Sequence, residues 1–209
     1  VWDQAAAERP DKFIANSEFV ASRIQKYYQK KAVVIHPPVN TKLFYIARET
    51  DRFFLVVARF LPYKRLDIAI RAFNLLGMPL KIVGDGPDRK KLERIANSNI
   101  EFLGLVPAAK LRERYAKGQA FIFPQEEDFG ITAVEAMASG RPVIAYQAGG
   151  ARETIKHGVS GLFFGAQTVD SLVLALKQFV AGDFNPEVIR QEAMQFDKEI
   201  FKQKITDFV

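Results

Sequence analysis

Short apolar runs alternate with longer helical patterns along this chain, and the alternation limits the possible folds more than any other feature. Strands alternating with helices of this length are typical of parallel βαβ units. We therefore predict an α/β fold with a doubly wound, Rossmann-like parallel sheet, and 209 residues of 48% hydrophobic content can bury a sizeable core. The strand-like runs lie at 13–15, 32–35, 53–58, 80–83, 100–103, 120–123, 142–145 and 162–164, and the helical patterns at 17–28, 65–76, 87–97, 108–117, 130–139, 168–181 and 186–208.

The stretch from residue 120 to residue 145 is the most informative of these units. Its apolar run ends at Pro124, an acidic loop follows, and a helical pattern begins near Gly130 and closes at Gly140. The loop therefore joins the carboxyl end of a strand to the start of a helix, which is where open α/β sheets bind ligands. Helix N-termini offer unpaired N–H groups to phosphates, so a phosphate site is expected here.

Glu127 in this loop and Glu135 on the following helix are candidate binding groups. Carboxylates accept hydrogen bonds from sugar and ribose hydroxyls, so phosphate-binding N–H groups beside them would suit a nucleotide sugar. The alternative is that Glu127 only favours the helix N-terminus and Glu135 is a solvated residue. The spacing alone does not choose between the two interpretations.

Arg59 and Lys64 follow the apolar run at 53–58 and precede a helical pattern. A guanidinium and an ammonium group converging there would neutralise a diphosphate, although two exposed basic residues in a loop are the alternative. Gly84 and Gly86 also follow a strand, but the third glycine of a dinucleotide fingerprint is missing. A tight turn explains both glycines, and a role in NAD binding is disfavoured.

These segments together resemble the retaining GT-B glycosyltransferases of family 4, the glycosyl transferases group 1. Glu127 and Glu135 are spaced as in the E-x7-E motif of that family, and Arg59 and Lys64 match its diphosphate-binding pair. Six matching segments cover roughly residues 35–165. Besides the acidic unit they are Arg59-Phe60-Leu61-Pro62-Tyr63-Lys64-Arg65, Val83-Gly84-Asp85-Gly86-Pro87, Phe102-Leu103-Gly104-Leu105-Val106, Gly149-Gly150-Ala151-Arg152-Glu153 and Gly158-Val159-Ser160-Gly161-Leu162.

The resemblance implies a role for each matching residue. Arg59 and Lys64 would hold the diphosphate, Glu127 would contact the hydroxyls of the donor sugar, and these three form the predicted catalytic set. Glu135 would contact the ribose, and the residues around Leu105 the base. The full predicted donor-binding set is Gly84, Leu105, Val106, Asp128, Phe129, Gly130, Ile131 and Glu135. The resemblance implies no metal ion and no other cofactor besides the nucleotide-sugar donor.

The acidic loop departs from the common Glu-Gly-Phe-Gly pattern, because Asp128 stands where glycine is usual. This form resembles bacterial mannosyltransferases of cell-surface polysaccharide assembly, together with the segments Ile35-His36-Pro37-Pro38-Val39-Asn40 and Tyr63-Lys64-Arg65-Leu66-Asp67. We therefore expect an enzyme that transfers a hexose, mannose from GDP-mannose, to a glycan or lipid-linked acceptor.

The resemblance also implies a division of the chain. GT-B enzymes have two Rossmann-like domains, and the motifs here belong to the C-terminal, donor-binding one. Residues 1–16 are expected to be a remnant of the N-terminal domain, residues 17–196 the nucleotide-sugar-binding domain, and residues 197–209 a helix that packs back toward the other half. The missing N-terminal domain would then be a partner, and this chain alone would be inactive.

A net charge of +6 favours anionic partners. Nucleic acid is disfavoured, because the chain has no compact basic stripe interleaved with aromatic residues and no nucleic-acid-binding motif. Arg23, Lys26, Lys30 and Lys31 would allow peripheral contact with the inner face of a membrane, but a solvated helix face is the favoured interpretation. No apolar run reaches eighteen residues, and we expect a cytoplasmic protein.

Two other functions stay open. A non-hydrolysing sugar-nucleotide epimerase shares the GT-B architecture but lacks the E-x7-E unit in this context. A non-catalytic nucleotide-sugar-binding or interaction module would keep the fold without transfer. Glu127 and Glu135 count against the epimerase, whereas the sequence does not show that the chain turns over.

Overall fold

A computed structural model describes residues 2–209 of the chain, in which strands and α-helices alternate. The strands are β1 (Phe13–Ala15), β2 (Ala32–Val34), β3 (Phe54–Val57), β4 (Leu80–Val83), β5 (Ile100–Gly104), β6 (Ala120–Phe123), β7 (Val143–Tyr146) and β8 (Gly161–Phe164). The helices are α1 (Trp2–Ala6), α2 (Glu18–Tyr28), α3 (Leu66–Leu76), α4 (Arg89–Ile95), α5 (Ala108–Lys117), α6 (Ile131–Ala138), α7 (Ala151–Thr154), α8 (Val169–Gln178), α9 (Pro186–Met194) and α10 (Lys198–Phe208). Short 3₁₀ helices lie at Thr41–Leu43, Pro62–Lys64 and Ala181–Asp183.

Six strands form one parallel sheet in the order β5-β4-β3-β6-β7-β8. This order confirms the predicted doubly wound α/β fold. The strand order changes direction between β3 and β6, and such a switch point opens a crevice at the carboxyl ends of the strands. The loops after β3 and β6 therefore face each other across the place where a ligand is expected.

Successive side chains of the central strands point to opposite faces of the sheet, as strand geometry requires. Leu55, Phe121 and Val143 belong to a buried cluster with α6 and α9. Val56, Ile122 and Ile144 belong to a second cluster with α3 and α8. Helices therefore cover both faces, which is why these strands read as continuous apolar runs rather than as alternating ones.

The first two strands form a separate parallel pair, and α2 packs against them. Ser17 caps α2, because its Oγ accepts a hydrogen bond of 3.0 Å from the N–H of Val20. The predicted boundary between residues 16 and 17 falls at this cap, inside the β1–α2–β2 unit. Glu153 ties the unit to the large sheet, since its carboxylate accepts the N–H groups of Glu18 and Phe19 at 2.7 and 2.8 Å.

The helical pattern predicted for residues 186–208 is two helices in the structure, α9 and α10, and α10 lies within the separate final helix that the resemblance placed at residues 197–209. The break at residues 195–197 comes from tertiary hydrogen bonds. Val39 donates its N–H to the carbonyl of Phe196 and accepts the N–H of Lys198. Asp197 then caps α10 by accepting the N–H of Glu199 at 3.0 Å. Val39 lies far away in sequence, so helical periodicity could not reveal the break.

Candidate functional site

The loops after β3, β4, β5 and β6 meet at the carboxyl edge of the large sheet and line a cleft of about 990 Å³. We call it the edge cleft. It brings together nearly all of the predicted site residues, although they come from four separate loops. The predicted residues that line it are Arg59, Lys64, Gly84, Leu105, Val106, Glu127, Asp128, Phe129, Gly130 and Ile131.

Lys64 and Glu127 form an ion pair in this cleft, across the switch point of the sheet. Their side chains are only 14% and 22% exposed, and burial lowers the pKa of Lys64. Arg59 lies nearby and is exposed, and it has no carboxylate within 4.0 Å in residues 2–209. The cleft thus holds one paired and one unpaired cation, and an anionic ligand could use both.

The acidic loop is held in place from three sides. The N–H of Gly150 donates to the carbonyl of Glu127 at 2.8 Å, and the carboxylate of Asp128 pairs with Arg23 of α2 at 2.9 Å. The buried ring of Phe129 stacks on His36, with 5.4 Å between ring centroids. The loop is therefore positioned before any ligand arrives, which reduces the cost of ordering it on binding.

The first turn of α6 begins at this loop without a side-chain cap. Gly130 precedes it in the left-handed conformation at a φ of 93°. Within residues 2–209 the N–H groups of Ile131 and Thr132 have no hydrogen-bond acceptor, and both residues line the cleft. Unpaired N–H groups at the positive end of a helix dipole are a suitable binding site for a phosphate or a sugar oxygen.

Glu135 is the predicted site residue that the structure places outside the lining of the cleft. It lies one turn into α6, and one of its carboxylate oxygens accepts a hydrogen bond of 2.8 Å from the hydroxyl of Tyr115. Burial raises the pKa of Glu135, and the bond from Tyr115 partly opposes this. Its assignment to the ribose stays a prediction.

Replacing Glu135 with glutamine is expected to change how stability depends on pH. The carboxyl group loses its proton at its ordinary pKa in the unfolded chain and at a higher pH in the folded one. Glu135 therefore stabilises the folded state below its ordinary pKa, and this contribution is lost as the pH rises through the raised value. The variant keeps an oxygen for Tyr115, so its stability relative to the parent should increase between about pH 4 and about pH 7.5. Urea unfolding at the two pH values measures this, and a pH-independent difference would contradict it.

Several contacts in or beside the edge cleft had no signal in the sequence. Gln167, in the loop before α8, accepts a hydrogen bond from Arg65 and donates another to the carbonyl of Pro124, both at 2.9 Å. It thereby links the loop that carries Lys64 to the loop that carries Glu127. Asn16 and Pro37, from outside the large sheet, also line the cleft. These residues are distant in sequence from the motifs, and no local pattern marks them.

The basic face of α2 is partly neutralised within the molecule. Arg23 pairs with Asp128 at 2.9 Å, and Lys30 pairs with Glu8 at 2.7 Å. Fewer free cations are therefore left for an anionic surface than the sequence suggested.

None of the helices in residues 2–209 is long and apolar enough to cross a membrane. In the same residues, no group of three or more His, Asp or Glu side chains could hold a metal ion.

The sequence profile of the family described as Glycosyl transferases group 1 matches residues 41–196. The chain belongs to this glycosyltransferase family. The match covers the four loops of the large sheet that line the edge cleft, from Arg59 to Ile131. Family membership favours a glycosyltransferase over the epimerase that the sequence left open.

Other glycosyltransferases resemble this family member over half of its length or more. An uncharacterised glycosyltransferase of Methanocaldococcus jannaschii is 29% identical over 205 residues, which are 95% of this chain and 58% of that protein. A GDP-mannose-dependent alpha-mannosyltransferase of Mycolicibacterium smegmatis is 41% identical over 108 residues, which are 51% of this chain and 28% of that protein.

The fold is that of GT-B glycosyltransferases. The sucrose-phosphate synthase of Thermosynechococcus elongatus superimposes with a TM-score of 0.87 at 23% identity, over 99% of this chain and 59% of that one. At this identity the likeness concerns the fold alone. The chain spans less than two thirds of the length of each of these proteins.

Proposed function

We propose that this chain is the donor-binding half of a retaining family 4 glycosyltransferase that takes a hexose from a nucleoside-diphosphate sugar. The ion pair between Lys64 and Glu127 carries the proposal. It places a cation for a diphosphate against a carboxylate for sugar hydroxyls, within one cleft. Arg59 and the uncapped start of α6 supply further groups for the phosphates, so the proposal requires no metal ion or other cofactor.

The roles of the other residues follow from their positions in the cleft. The exposed side chain of Leu105 and the neighbouring Val106 offer an apolar surface for the base. Gly84 would allow the donor to approach the backbone, and the N–H groups at the start of α6 would contact phosphate or sugar oxygens. The ribose would reach toward Glu135. A ligand bound in this way would extend from the end of β5 to the end of β6 and cross the switch point between β3 and β6.

We propose GDP-mannose as the donor. Two observations support it: the Asp128 form of the acidic loop, and the similarity to mannosyltransferases whose names state dependence on GDP-mannose. The acceptor would be a glycan or a lipid-linked glycan of cell-surface polysaccharide synthesis. A cytoplasmic location, with peripheral contact at the inner membrane face as an alternative, remains a prediction.

In the proposed transfer, an acceptor hydroxyl oxygen bonds to the anomeric carbon on the face that the diphosphate leaves. The bond between that carbon and the phosphate oxygen breaks, and the nucleoside diphosphate leaves with the electron pair. The proton of the hydroxyl passes to the departing phosphate oxygen. Arg59 and Lys64 stabilise the charge that develops on the diphosphate. Glu127 orients the sugar, and no carboxylate acts as a covalent nucleophile, in contrast to retaining glycosidases.

The proposed donor half needs a second GT-B domain to complete the acceptor side. The limited coverage of the relatives supports this, since the chain spans 58% of the archaeal glycosyltransferase. The prediction that residues 1–209 alone bind donor but transfer poorly or not at all follows from it. Without a partner the chain would act as a donor-binding module. Donor binding and sugar transfer are therefore measured separately.

Calorimetric titration with GDP, UDP, ADP and GDP-mannose tests the proposal. Selective binding of GDP, with still tighter binding of GDP-mannose, would support a mannosyltransferase donor site. Preference for another base would overturn GDP-mannose and keep the donor site. If residues 1–209 bind none of the four, the proposed donor half is wrong for this chain.

Replacing Glu127 with glutamine separates its two contacts. The amide retains hydrogen-bonding capacity but neither pairs with Lys64 nor accepts charge-assisted bonds from sugar hydroxyls. Affinity for GDP should therefore not fall, whereas affinity for GDP-mannose should fall by about 10-fold, a typical loss for a hydrogen bond to a charged group. Glu126→Gln, in the same loop but outside the edge cleft, is the matched control. Equal losses for GDP and GDP-mannose would show that Glu127 does not contact the sugar.

A further inference from the structure

One side chain outside the edge cleft contacts both of the loops that carry its central ion pair. Gln167 lies between β8 and α8, at the end of the sheet that is remote from β5. Its Oε1 accepts a hydrogen bond of 2.9 Å from Nη1 of Arg65, the residue that follows Lys64. Its Nε2 donates a hydrogen bond of 2.9 Å to the carbonyl of Pro124, in the loop that carries Glu127. We call these two hydrogen bonds the glutamine bridge.

The glutamine bridge requires a side chain that accepts a hydrogen bond at one end and donates one at the other. The guanidinium of Arg65 can only donate, and the carbonyl of Pro124 can only accept. A carboxylate at position 167 would satisfy Arg65 alone, and an ammonium would satisfy Pro124 alone. The amide of Gln167 satisfies both at once, and the two partners determine which end of the amide is the oxygen.

The turn that ends at Arg65 is strained and is held from outside. Pro62–Lys64 is a 3₁₀ helix, and Arg65 follows it in the left-handed conformation at a φ of 50°. Residues other than glycine rarely adopt this conformation, and those that do are held in it by their surroundings. The guanidinium of Arg65 is held by Gln167 and by Asp67, the latter at 3.3 Å. Because Lys64 directly precedes Arg65, the conformation of this turn sets the direction in which the ammonium of Lys64 points.

The other end of the glutamine bridge is fixed by hydrogen bonds within its own loop. The N–H of Ala166 donates to Oγ of Ser171 at 3.2 Å. Oγ1 of Thr168 caps α8 by accepting the N–H of Ser171 at 3.3 Å. The residues on both sides of Gln167 are therefore tied to the first turn of α8, and the half-buried side chain of Gln167 reaches out from a fixed backbone.

We infer that Gln167 is a positioning residue of the donor site: the glutamine bridge holds the turn before α3 against the acidic loop, so that Lys64 faces Glu127. The inference rests on the proposed function, because it gives Gln167 an effect on the diphosphate that Lys64 binds. Gln167, Arg65 and Pro124 all lie outside the lining of the edge cleft. The bridge therefore acts through Lys64 and not by contact with the ligand. A bridge that only stabilised the fold would change the free energy of unfolding and leave the affinity for GDP unchanged.

The test measures GDP affinity by calorimetry for residues 1–209, for Gln167→Met, for Lys64→Ala and for the double variant. Methionine is a flexible, unbranched side chain like glutamine but makes neither hydrogen bond of the bridge. Gln167→Met is expected to weaken GDP binding by about 5-fold, the scale of one hydrogen bond between uncharged groups. In the Lys64→Ala background the same substitution should change the affinity by less than about 2-fold, because the side chain that the bridge positions is gone.

Gln147→Met is the matched control. Gln147 lies in the loop after β7, next to the loop of Gln167 in the sheet order, and it is exposed and outside the edge cleft. Its replacement should leave GDP affinity unchanged. Urea unfolding shows whether each variant is folded. If Gln167→Met does not fold, Gln167→Glu takes its place, because it keeps the hydrogen bond from Arg65 and loses the one to Pro124.

The outcomes separate this inference from the proposed function. Weaker GDP binding by folded Gln167→Met, without a further loss in the double variant, supports the positioning role. An affinity for GDP like that of the parent chain overturns it and leaves the donor site standing, whether or not stability falls. Equal losses with and without Lys64 also overturn it, because Gln167 would then act independently of that ammonium. Absence of GDP binding in the parent chain contradicts the proposed function, and this inference fails with it.

Discussion

Lys64→Ala is expected to weaken binding of GDP by about 10- to 150-fold, the range of about 1.5–3 kcal/mol for a hydrogen bond to a charged group. The substitution removes the cation that we assign to the diphosphate. It also leaves the half-buried carboxylate of Glu127 without its partner, at the place where an anion has to bind. Both effects act in the same direction. Arg59 and the N–H groups at the start of α6 remain, and they account for the affinity that is left.

Lys81→Ala is the matched control for this variant. Lys81 is also a half-buried lysine paired with a glutamate, Glu101 at 3.4 Å, but it lies outside the edge cleft. Calorimetry should show unchanged GDP affinity for Lys81→Ala. If folded Lys64→Ala binds GDP as tightly as the parent chain does, the role assigned to Lys64 is refuted.

Gly84→Ala is expected to lower the free energy of unfolding by about 3–5 kcal/mol, through overpacking and backbone strain together. Gly84 follows β4 at a φ of 133°, and an added Cβ would lie 1.9 Å from the carbonyl oxygen of Ala58. That carbonyl belongs to the backbone at the end of β3, so it cannot move aside as a flexible side chain could. The strands would have to separate where they line the edge cleft, and GDP binding should weaken as well.

Variants at two other glycines separate the effect of the steric clash from the effect of backbone strain. Gly77→Ala also forces alanine into a positive φ, 64°, but its added Cβ meets nothing within 4 Å. We expect it to cost about 1–2 kcal/mol, the strain of the left-handed conformation alone. Gly165→Ala has neither problem and should be nearly neutral. Urea unfolding of the three variants measures the series, and equal losses for Gly84→Ala and Gly77→Ala would mean that the close approach to Ala58 is unimportant.

The sequence predicted the fold because each strand of the large sheet carries its own signal. The runs that became β3, β6 and β7 are buried on both faces, so they stand out as short, continuous apolar segments. Helices between them then allow little besides a parallel, doubly wound sheet. The same reasoning predicted that the ligand-binding side chains lie at one edge of the sheet, because the carboxyl ends of parallel strands lie together.

The details of the site depend on contacts that no local pattern contains. Lys64 and Glu127 are 63 positions apart, and Tyr115 and Glu135 are 20 apart. Glu153 caps a helix that begins 135 positions earlier. Each contact depends on how side chains meet after the sheet has formed. The spacing of the motifs therefore identified the candidate binding side chains but not the side chains that they contact. It suggested a free carboxylate at Glu127, which in the structure forms an ion pair with Lys64.

The double-glycine turn before α7 packs directly against the acidic loop, which lies some twenty residues earlier, so the two segments depend on each other. Added Cβ atoms at Gly149 and Gly150 would lie 2.2 Å from the carbonyl oxygen of Glu127 and 2.5 Å from that of Asp128. Grafting the loop of a relative with a different donor would therefore succeed only if its matching turn were transplanted with it. For protein engineering, the unit to exchange in a test of the proposed donor choice is this pair of segments, not the loop alone.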